Sequence, residues 1–483
     1  MRARVHANAY ADRPMRMLMF VAASAVAAVA APPPARADQA AGSDGREPSH
    51  ADHDADDGID DDAYLLRHPH ASWWLSAQAN VIAQFQPGFH SPYAGANSFT
   101  PADHAAISTV ETVYGAYQLT ATTAVMVAGE SVGGGGLSQA LGIAGFTDVD
   151  VVRNPTLGPA PYIAKAVLEQ IIPLSSERVT VSTAPWNVLR RVPARRLVLR
   201  GGKLATTDAF DVNAPGSDSH LQLMNWSLVN NGAYDYAADT RGYTLGATVE
   251  YITPLWALRY GAMLMPKVAN GPDYDYDVAT ARGEQLELEL HECIGGHAGI
   301  IRLLGFLNHA KMGNYAEAIA VVRQGILDTP DITATRVAGR TKHGVAVGWE
   351  QALAHDARAF GRIGWSDGEN ETFAYTEIDN SVAAGADIVG TAWSRPADRL
   401  GLAVVTNGLS RSHRDYLALG GLGFILGDGA LRYGREDIVE AYYTARAYRG
   451  ISPAVDIQVV EHPGYNTDRG PAVVGSLRLH VEL

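Results

Sequence analysis

The stretch Tyr243–Leu264, YTLGATVEYITPLWALRYGAML, is the part of this 483-residue chain that decides its fold class. In its first half, apolar side chains alternate with threonine, glycine and glutamate, and Thr253-Pro254 then form a short turn. After the turn, apolar side chains occupy every second position from Trp256, while Arg259 falls on the opposite face. Successive side chains of a β-strand point to opposite faces. The stretch therefore predicts two strands, each with one apolar and one polar face.

The same two-residue period recurs through most of the chain. It is clear in residues 73–85 and in the alternating leucines and acidic or histidine side chains of residues 284–292. We predict sixteen strands, at residues 73–85, 108–119, 122–130, 161–173, 195–203, 243–251, 256–264, 284–292, 298–307, 342–354, 357–365, 376–393, 400–409, 438–448, 454–461 and 472–483. The number is even, as it is in single-chain bacterial membrane barrels.

The connections between these strands differ in length in a regular way. Short turns are expected at residues 252–255, 394–399 and 449–453, and long polar connections at 265–283, 308–340 and 410–436. Short periplasmic turns and long external loops are the arrangement of outer-membrane proteins. A soluble sandwich also alternates, but it does not usually repeat this asymmetry. We therefore predict an all-β fold, a transmembrane antiparallel β-barrel of about sixteen strands in a bacterial outer membrane.

Two segments precede the expected barrel. Residues 1–37 combine Arg13 and Arg16, an apolar run from Met17 to Ala31 and an Ala-Arg-Ala cleavage site, as a secretory signal peptide does. Residues 38–63 hold ten acidic residues, one arginine and no aromatic residue. A segment of that composition buries too little apolar surface to offset its ordering entropy, so we expect a disordered acidic tail. The barrel should then occupy residues 64–483.

Composition excludes several other classes of function. The chain has a net charge of −14, which disfavours nucleic acid as a partner. Its one cysteine, Cys293, cannot form an internal disulfide. The glycines at 133–136 are not followed by the Lys-Ser/Thr pair of a phosphate-binding loop, and no serine lies in a nucleophile motif. We expect neither an enzyme nor a bound cofactor or metal.

Several longer stretches resemble one family of channels. They are FHSPYAGANS at Phe89–Ser98, GGGLSQALGIAGF at Gly134–Phe146, the run Gln222–Tyr251 followed by WALRYG and PKVANG, FAYTEIDNSVAAG at Phe373–Gly385, and GYNTDRGP before the last strand. In this order, they resemble the OprB family of carbohydrate-selective porins along nearly all of the expected barrel. The resemblance implies an outer-membrane channel for passive diffusion of small sugars into the periplasm.

Two alternatives stay open from the sequence. One is a general or ion-preferring porin, and the other is an exported, soluble carbohydrate-binding β protein. Besides small sugars, the expected partners are outer-membrane lipids on the apolar face and the barrel-assembly machinery, which reads an alternating C-terminal strand such as residues 472–483. Assembly as a homotrimer is left open.

A sugar channel should mix charged and aromatic side chains on its inward face, because hydroxyls need charged partners and the C–H face of a sugar ring stacks on aromatic rings. The inward positions of the predicted strands supply the lumen candidates Arg259, Glu287, Glu289, Arg358, Arg362, Glu377, Asp379, Glu440, Tyr442, Arg446 and Arg478. Both signs of charge are present, which suits a neutral polyol better than a simple ion.

Two connections carry further predictions. The long connection at residues 204–242 is a candidate for a segment that folds inward and narrows the pore, with Asp211, Asn213 and Trp226 as its expected sugar contacts. Ordinary packing of an external loop is the alternative for it. In another connection, Asn314–Leu327 predicts a short helix that caps the mouth of the barrel.

Overall fold

The computed structural model describes residues 62–68, 71–154, 157–181, 185, 188–189 and 191–483. The expected signal peptide and all but the last two residues of the expected acidic tail lie outside this part of the chain. Those two boundaries therefore stay predictions.

The described residues form a closed barrel of sixteen antiparallel strands and a separate two-stranded hairpin. The eighteen strands are β1 (Trp73–Gln86), β2 (His104–Gln118), β3 (Thr123–Gly134), β4 (Tyr162–Pro173), β5 (Arg178–Thr180), β6 (Arg191–Pro193), β7 (Arg196–Leu204), β8 (Thr244–Ile252), β9 (Trp256–Leu264), β10 (Arg282–Ile294), β11 (His297–Met312), β12 (Val337–Ala354), β13 (Ala357–Ser366), β14 (Asn380–Gly390), β15 (Arg395–Gly408), β16 (Glu436–Thr444), β17 (Ile451–Glu461) and β18 (Ala472–Glu482).

The barrel closes between its first and last strands. β1 pairs with β2 along one edge and with β18 along the other, in a register that joins Gln78 to Glu482 and Phe85 to Gly475. Closure removes the free strand edges, whose unpaired backbone groups cost several kcal/mol each in lipid. The predicted fold class and strand number are confirmed.

The two ends of the barrel differ as the sequence predicts. At one end the strands are joined by the short turns 119–122, 253–255, 295–296, 355–356, 391–394 and 445–450, and at the other by longer connections such as 205–243, 313–336 and 409–435. The connection between β4 and β7 is an exception, because it carries the β5–β6 hairpin at the short-turn end. By the rule for outer-membrane barrels, the long connections lie outside the cell.

The two faces of the wall also follow the predicted alternation. On β10, Leu286 is 51% exposed and points outward, whereas Glu287 and Glu289 are buried inside the barrel. Val249 on β8 and Leu402 on β15 likewise expose their side chains on the outer surface. These outward apolar side chains form the surface that faces lipid.

In the described part of the chain, three α-helices lie within the long connections. They are α1 (Trp226–Val229), α2 (Tyr315–Arg323) and α3 (Arg411–Ala418). The predicted helix corresponds to α2, which begins after Asn314, whose side chain accepts a hydrogen bond from the backbone N–H of Glu317 at 3.1 Å. The sequence analysis did not predict α3. Within the described residues, none of the helices has the length and apolar character needed to cross a membrane.

Candidate functional site

The long connection 205–243 folds into the barrel instead of lying over it. Most of its residues are buried, including all of residues 222–240, and Phe210 and Tyr234 have no exposed surface. We call residues 205–243 the inward segment. A wall of sixteen strands alone encloses a wide aqueous channel. The inward segment fills part of that channel, and this explains why buried side chains lie inside the barrel.

Hydrogen bonds between carboxylates and backbone N–H groups join the inward segment to the wall and to the external end. Glu440 on β16 accepts hydrogen bonds from the backbone nitrogens of Met224, at 2.5 Å, and Asn225, at 3.1 Å. In the opposite direction, Asp235 of the inward segment accepts from the backbone nitrogens of Phe373 and Ala374, at 2.9 and 2.8 Å. Buried backbone groups need such partners, so these contacts fix the segment in one position.

Arg362 on β13 is a third anchor. Its guanidinium donates to Oδ1 of Asp211 at 3.1 Å, to the carbonyl oxygen of Leu228 at 2.7 Å and to Oγ of Ser217 at 2.8 Å. The side chains of Arg362 and Asp211 are 2% and 5% exposed. A charge this deeply buried is stable only when it is paired and hydrogen-bonded, and here the pairing joins the wall to both halves of the inward segment.

A cavity of about 580 Å³ remains between the inward segment and the N-terminal strands β1–β4. We call it the lumen cavity. Its charged lining residues are Glu130, Asp150, Arg153, Lys165, Asp208, Asp218, His220, Asp239 and Arg241, and its aromatic lining residues are Tyr114, Trp226, Tyr236, Tyr243 and Tyr375. Residues of the external connections and of the mid-strand wall both contribute, so the cavity extends from the outer end into the barrel.

Charged and aromatic side chains are interleaved at the outer part of the lumen cavity. Glu130 on β3 accepts a hydrogen bond from the hydroxyl of Tyr243 at 2.8 Å and another from the hydroxyl of Tyr162. The guanidinium of Arg241 lies 4.2 Å from the centre of the Tyr162 ring. Lys165 pairs with Asp208 at 2.6 Å. This region therefore presents donors, acceptors and ring faces within a few ångströms of one another.

An ion pair between a partly buried histidine and a buried carboxylate lies deeper in the lumen cavity. Nε2 of His220 is 3.3 Å from Asp150, which also accepts a hydrogen bond from Asn80 at 2.6 Å. Burial lowers the pKa of His220, but the Asp150 carboxylate outweighs burial and raises that pKa to about 9. His220 is accordingly a cation at neutral pH, and it adds a positive group to this part of the lining.

The model of the carbohydrate-selective porin family OprB matches residues 105–483. The chain belongs to this family. The high-pH structure of OprB from Pseudomonas putida has the same fold, with 14% identity, a TM-score of 0.65 and coverage of 85% of this chain and 94% of that one. The outer-membrane channel DcaP of Acinetobacter baumannii has 11% identity, covers 85% and 97%, and has a TM-score of 0.48. No curated protein matches the chain.

Membership of the OprB family confirms the predicted family, outer-membrane location and channel function, namely a carbohydrate-selective porin. The family and the fold are those of channels and not of enzymes.

The first group of lumen candidates forms a charged ladder across β8–β12. Arg259 donates to Glu250 at 2.9 Å, to Glu287 at 3.2 Å and to Glu289 at 2.9 Å. Arg302 continues the ladder from Glu289, at 2.9 Å, to Glu350. All of these side chains point inward, and their charged groups are bonded mainly to one another.

The remaining lumen candidates are spread around the barrel, and Glu377 and Asp379 lie in the external connection before β14 instead of on that strand. Arg358 pairs with Asp387, and the side chain of Tyr442 is buried. Glu377 accepts hydrogen bonds from the backbone nitrogens of Ile425 and Leu426, and Asp379 contacts His413. Arg478 donates hydrogen bonds to the carbonyl oxygens of Ser219 and Gln222. Arg446 lies in a short turn, because β16 ends at Thr444 and not at residue 448 as predicted. Its backbone nitrogen donates to Asp398 at 3.0 Å.

The three candidates in the inward segment have different surroundings. Trp226 lines the lumen cavity, with its ring stacked at 5.8 Å on Tyr375. Asp211 pairs with Arg362, and the side chain of Asn213 lies 3.4 Å from the carbonyl oxygen of Trp349. Of the fourteen candidate residues, Trp226 is the one that lines the lumen cavity in the part of the chain that the structure describes.

Several lining residues were not among the candidates. Glu130 and Lys165 lie on strands that the sequence analysis predicted, and alternation would have placed Lys165 on the same face as the buried Val167. Tyr162, which binds Glu130 but does not line the cavity, was not a candidate either. A register shift against β3 interrupts the two-residue period of β4 between Ile163 and Lys165.

Proposed function

We propose that small sugars cross the outer membrane through the lumen cavity, between the inward segment and strands β1–β4. The observation that carries the proposal is the mixture of side chains in its lining, where both signs of charge alternate with aromatic rings. The volume of about 580 Å³ also falls in the usual range for small-molecule sites, which is roughly 300–1,000 Å³.

Each class of lining residue has a role suited to a sugar. Arg241 and Lys165 donate hydrogen bonds to hydroxyls, and Asp218 and Asp239 accept hydrogen bonds from them. The ring of Tyr243 offers a face to the C–H surface of the sugar. Because many weak contacts are distributed along the path, a sugar binds well enough to enter and weakly enough to leave.

We propose that the sequence-predicted lumen candidates act mainly by holding the wall and the inward segment in place. The ladder around Arg259 and the anchors Arg362 and Glu440 support this assignment, since their polar atoms bond to protein groups. Direct contact of Arg446 or Tyr442 with sugar stays a prediction.

The remaining expectations are also proposals. Residues 1–37 direct export, residues 38–63 form a tail separate from the barrel, and the outward apolar face contacts outer-membrane lipid. The barrel-assembly machinery recognises β18, whose two faces alternate through Glu482. A homotrimer is compatible with the exposed apolar wall, and lipid contact alone accounts for that surface equally well.

The test is the ion current through the purified protein in planar bilayers while neutral sugars are added. We expect a saturable fall in current for the wild type. Lys165→Gln and Arg241→Gln should each raise the half-blocking sugar concentration about threefold to tenfold, since a hydrogen bond from a charged donor contributes roughly 1 kcal/mol in a wet channel.

Arg282→Gln is the matched control, because Arg282 pairs with Glu284 at the rim and does not line the lumen cavity. Its half-blocking concentration should equal that of the wild type. Block that is unchanged in all three variants would place the sugar path elsewhere in the barrel. A current that falls only with the viscosity of the solution would instead favour a general or ion-preferring porin.

A further inference from the structure

A second cavity, of about 280 Å³, lies at the external end of the barrel and shares no lining residue with the lumen cavity. It is lined by Arg411, Arg414, Asp415, Ala418, Leu431 and Tyr433. We call it the vestibule cavity. Its first four residues have the spacing i, i+3, i+4 and i+7 and therefore share one face of α3. The buried His413, Tyr416 and Leu417 attach the other face of the helix to the barrel.

The two arginines of the vestibule cavity have donors that the described protein does not use. Arg411 has no ion-pair or side-chain hydrogen-bond partner among the residues that the structure describes. Arg414 donates from Nε to the carbonyl oxygen of Ser410 at 3.3 Å, and its guanidinium lies 4.6 Å from the centre of the Tyr433 ring. Within the described ranges, no carboxylate pairs with this guanidinium.

The neighbouring arginines of the same connection and of the next one are paired. Arg432 pairs with Asp468 at 3.4 Å, and Arg469 pairs with Asp428. Arg432 and Arg469 therefore direct their charge to carboxylates of the protein, whereas Arg411 and Arg414 have no such partner among the described residues.

The position of the arginines on α3 is also unfavourable without an anion. Arg411 is in the first turn of α3, which carries no acidic residue there, and a cation at a helix N-terminus opposes the helix dipole. The helix α2 has the opposite and favourable arrangement, with Glu317 in its first turn and Arg323 in its last. An anionic ligand in the vestibule cavity would remove this conflict and satisfy both guanidinium groups.

We propose that the vestibule cavity binds an acidic sugar, one that carries a carboxylate or phosphate group, at the outer face of the porin. Arg411 and Arg414 bind the anionic group, and charge-assisted hydrogen bonds from arginine suit both kinds of anion. Asp415 accepts hydrogen bonds from the sugar hydroxyls, and Tyr433 with Leu431 packs against the ring. Asp415 makes the cavity selective for an acidic sugar over an inorganic anion. Its carboxylate repels an anion that has no hydroxyl groups, but it accepts hydrogen bonds from the hydroxyls of a sugar.

The vestibule proposal does not depend on the route through the lumen cavity, and it is tested by equilibrium dialysis of the detergent-solubilised protein against labelled glucuronate. We expect saturable binding by the wild type. The double variant Arg411→Gln/Arg414→Gln should bind about tenfold more weakly or worse, because two charge-assisted hydrogen-bonding groups are lost. Arg432→Gln, with its exposed arginine on the same connection, is the matched control and should bind as the wild type does.

Two further measurements distinguish an acidic sugar from inorganic phosphate and from a lipid headgroup. Asp415→Asn should weaken glucuronate binding and leave the binding of inorganic phosphate unchanged or stronger. If phosphate binds the wild type as tightly as glucuronate does, the assignment to a sugar is wrong. If micelles that contain lipid A displace glucuronate completely, the site belongs to a lipid headgroup. Glucuronate binding that is absent from the wild type, or equal in the folded double variant, overturns the proposal.

Discussion

Replacing Arg362 by methionine should release the inward segment and widen the pore. Arg362 joins β13 to Asp211, Ser217 and Leu228 through hydrogen bonds of 2.7 to 3.1 Å. Methionine keeps much of the volume of the side chain and removes every donor. The segment then loses these hydrogen bonds to β13.

The size of the effect follows from burial. In the variant, the carboxylate of Asp211 keeps the backbone N–H of Asn231 at 2.6 Å but loses its cationic partner, although it is 5% exposed. Breaking a buried ion pair on one side costs roughly 3–5 kcal/mol. We expect this cost to appear partly as lower stability of the whole barrel and partly as displacement of the inward segment toward water.

Single-channel conductance and urea unfolding of the refolded protein measure the two outcomes. Arg362→Met should increase the mean conductance and the current noise, and it should lower the free energy of unfolding by an amount on the order of that cost. Arg358→Met is the matched control, because its partner Asp387 retains Arg399 at 2.7 Å. Equal conductance in the two variants, with the fold intact in both, would refute the anchoring role of Arg362.

Three further predictions concern the wall, the helix α3 and closure of the barrel. Leu288→Arg should reduce the free energy of folding into bilayers by about 2–4 kcal/mol relative to Leu288→Ala, since Leu288 lies at mid-strand between Leu258 and Leu303 on the outer face; equal folding of the two would contradict the register. Burial lowers the pKa of His413, but Asp379 and Glu377 outweigh burial and raise it to about 9. Because this folded-state pKa exceeds the ordinary value of about 6.5, the stabilisation is complete below that pH and is lost as the pH rises toward 9. The melting temperature of wild type should therefore fall over this interval, and His413→Gln should show a weaker dependence. Removal of residues 473–483 should abolish membrane insertion, because β1 and β17 would be left with open edges; normal outer-membrane levels of this variant would contradict closure through β18.

The strands were predictable because a membrane barrel imposes a simple rule on its wall. Lipid and the interior lie on opposite sides of every strand, so side chains alternate as they do between Leu286 and Glu287. All sixteen predicted strands correspond to barrel strands, with differences at their ends such as β14, which spans Asn380–Gly390 instead of 376–393. The β5–β6 hairpin and α3 were missed because short elements carry too few residues to show a period.

The sugar path was harder to predict, because alternation tells which face a side chain occupies and not which group it meets. Arg259 does point inward, but three glutamates on β8 and β10 bind its guanidinium. The inward segment has no period at all, so its contacts with Glu440 and Arg362 depend on tertiary packing alone. The sequence did suggest that this connection could enter the barrel, and it identified Trp226, which lines the lumen cavity.

Glu289→Arg shows how the structure changes an expectation from the sequence. From alternation alone, this lumen substitution should alter conductance and leave folding intact. In the structure, Glu289 lies between Arg259 and Arg302, at 2.9 Å from each. A third arginine there would place three like charges together inside the barrel, so we now expect a loss of stability in urea unfolding as well as a change in conductance.

Protection of an engineered cysteine by sugar tests the central claim most directly. Ser219 lines the lumen cavity, and Ser219→Cys replaces one small side chain by another there. In the reconstituted protein, the rate at which a charged thiol reagent modifies the introduced cysteine should fall saturably as glucose is added. The native Cys293, exposed near a short turn on β10, is the internal control and should react at a constant rate. Equal rates at the introduced cysteine with and without saturating sugar, in a channel whose current the sugar blocks, would contradict a path through the lumen cavity.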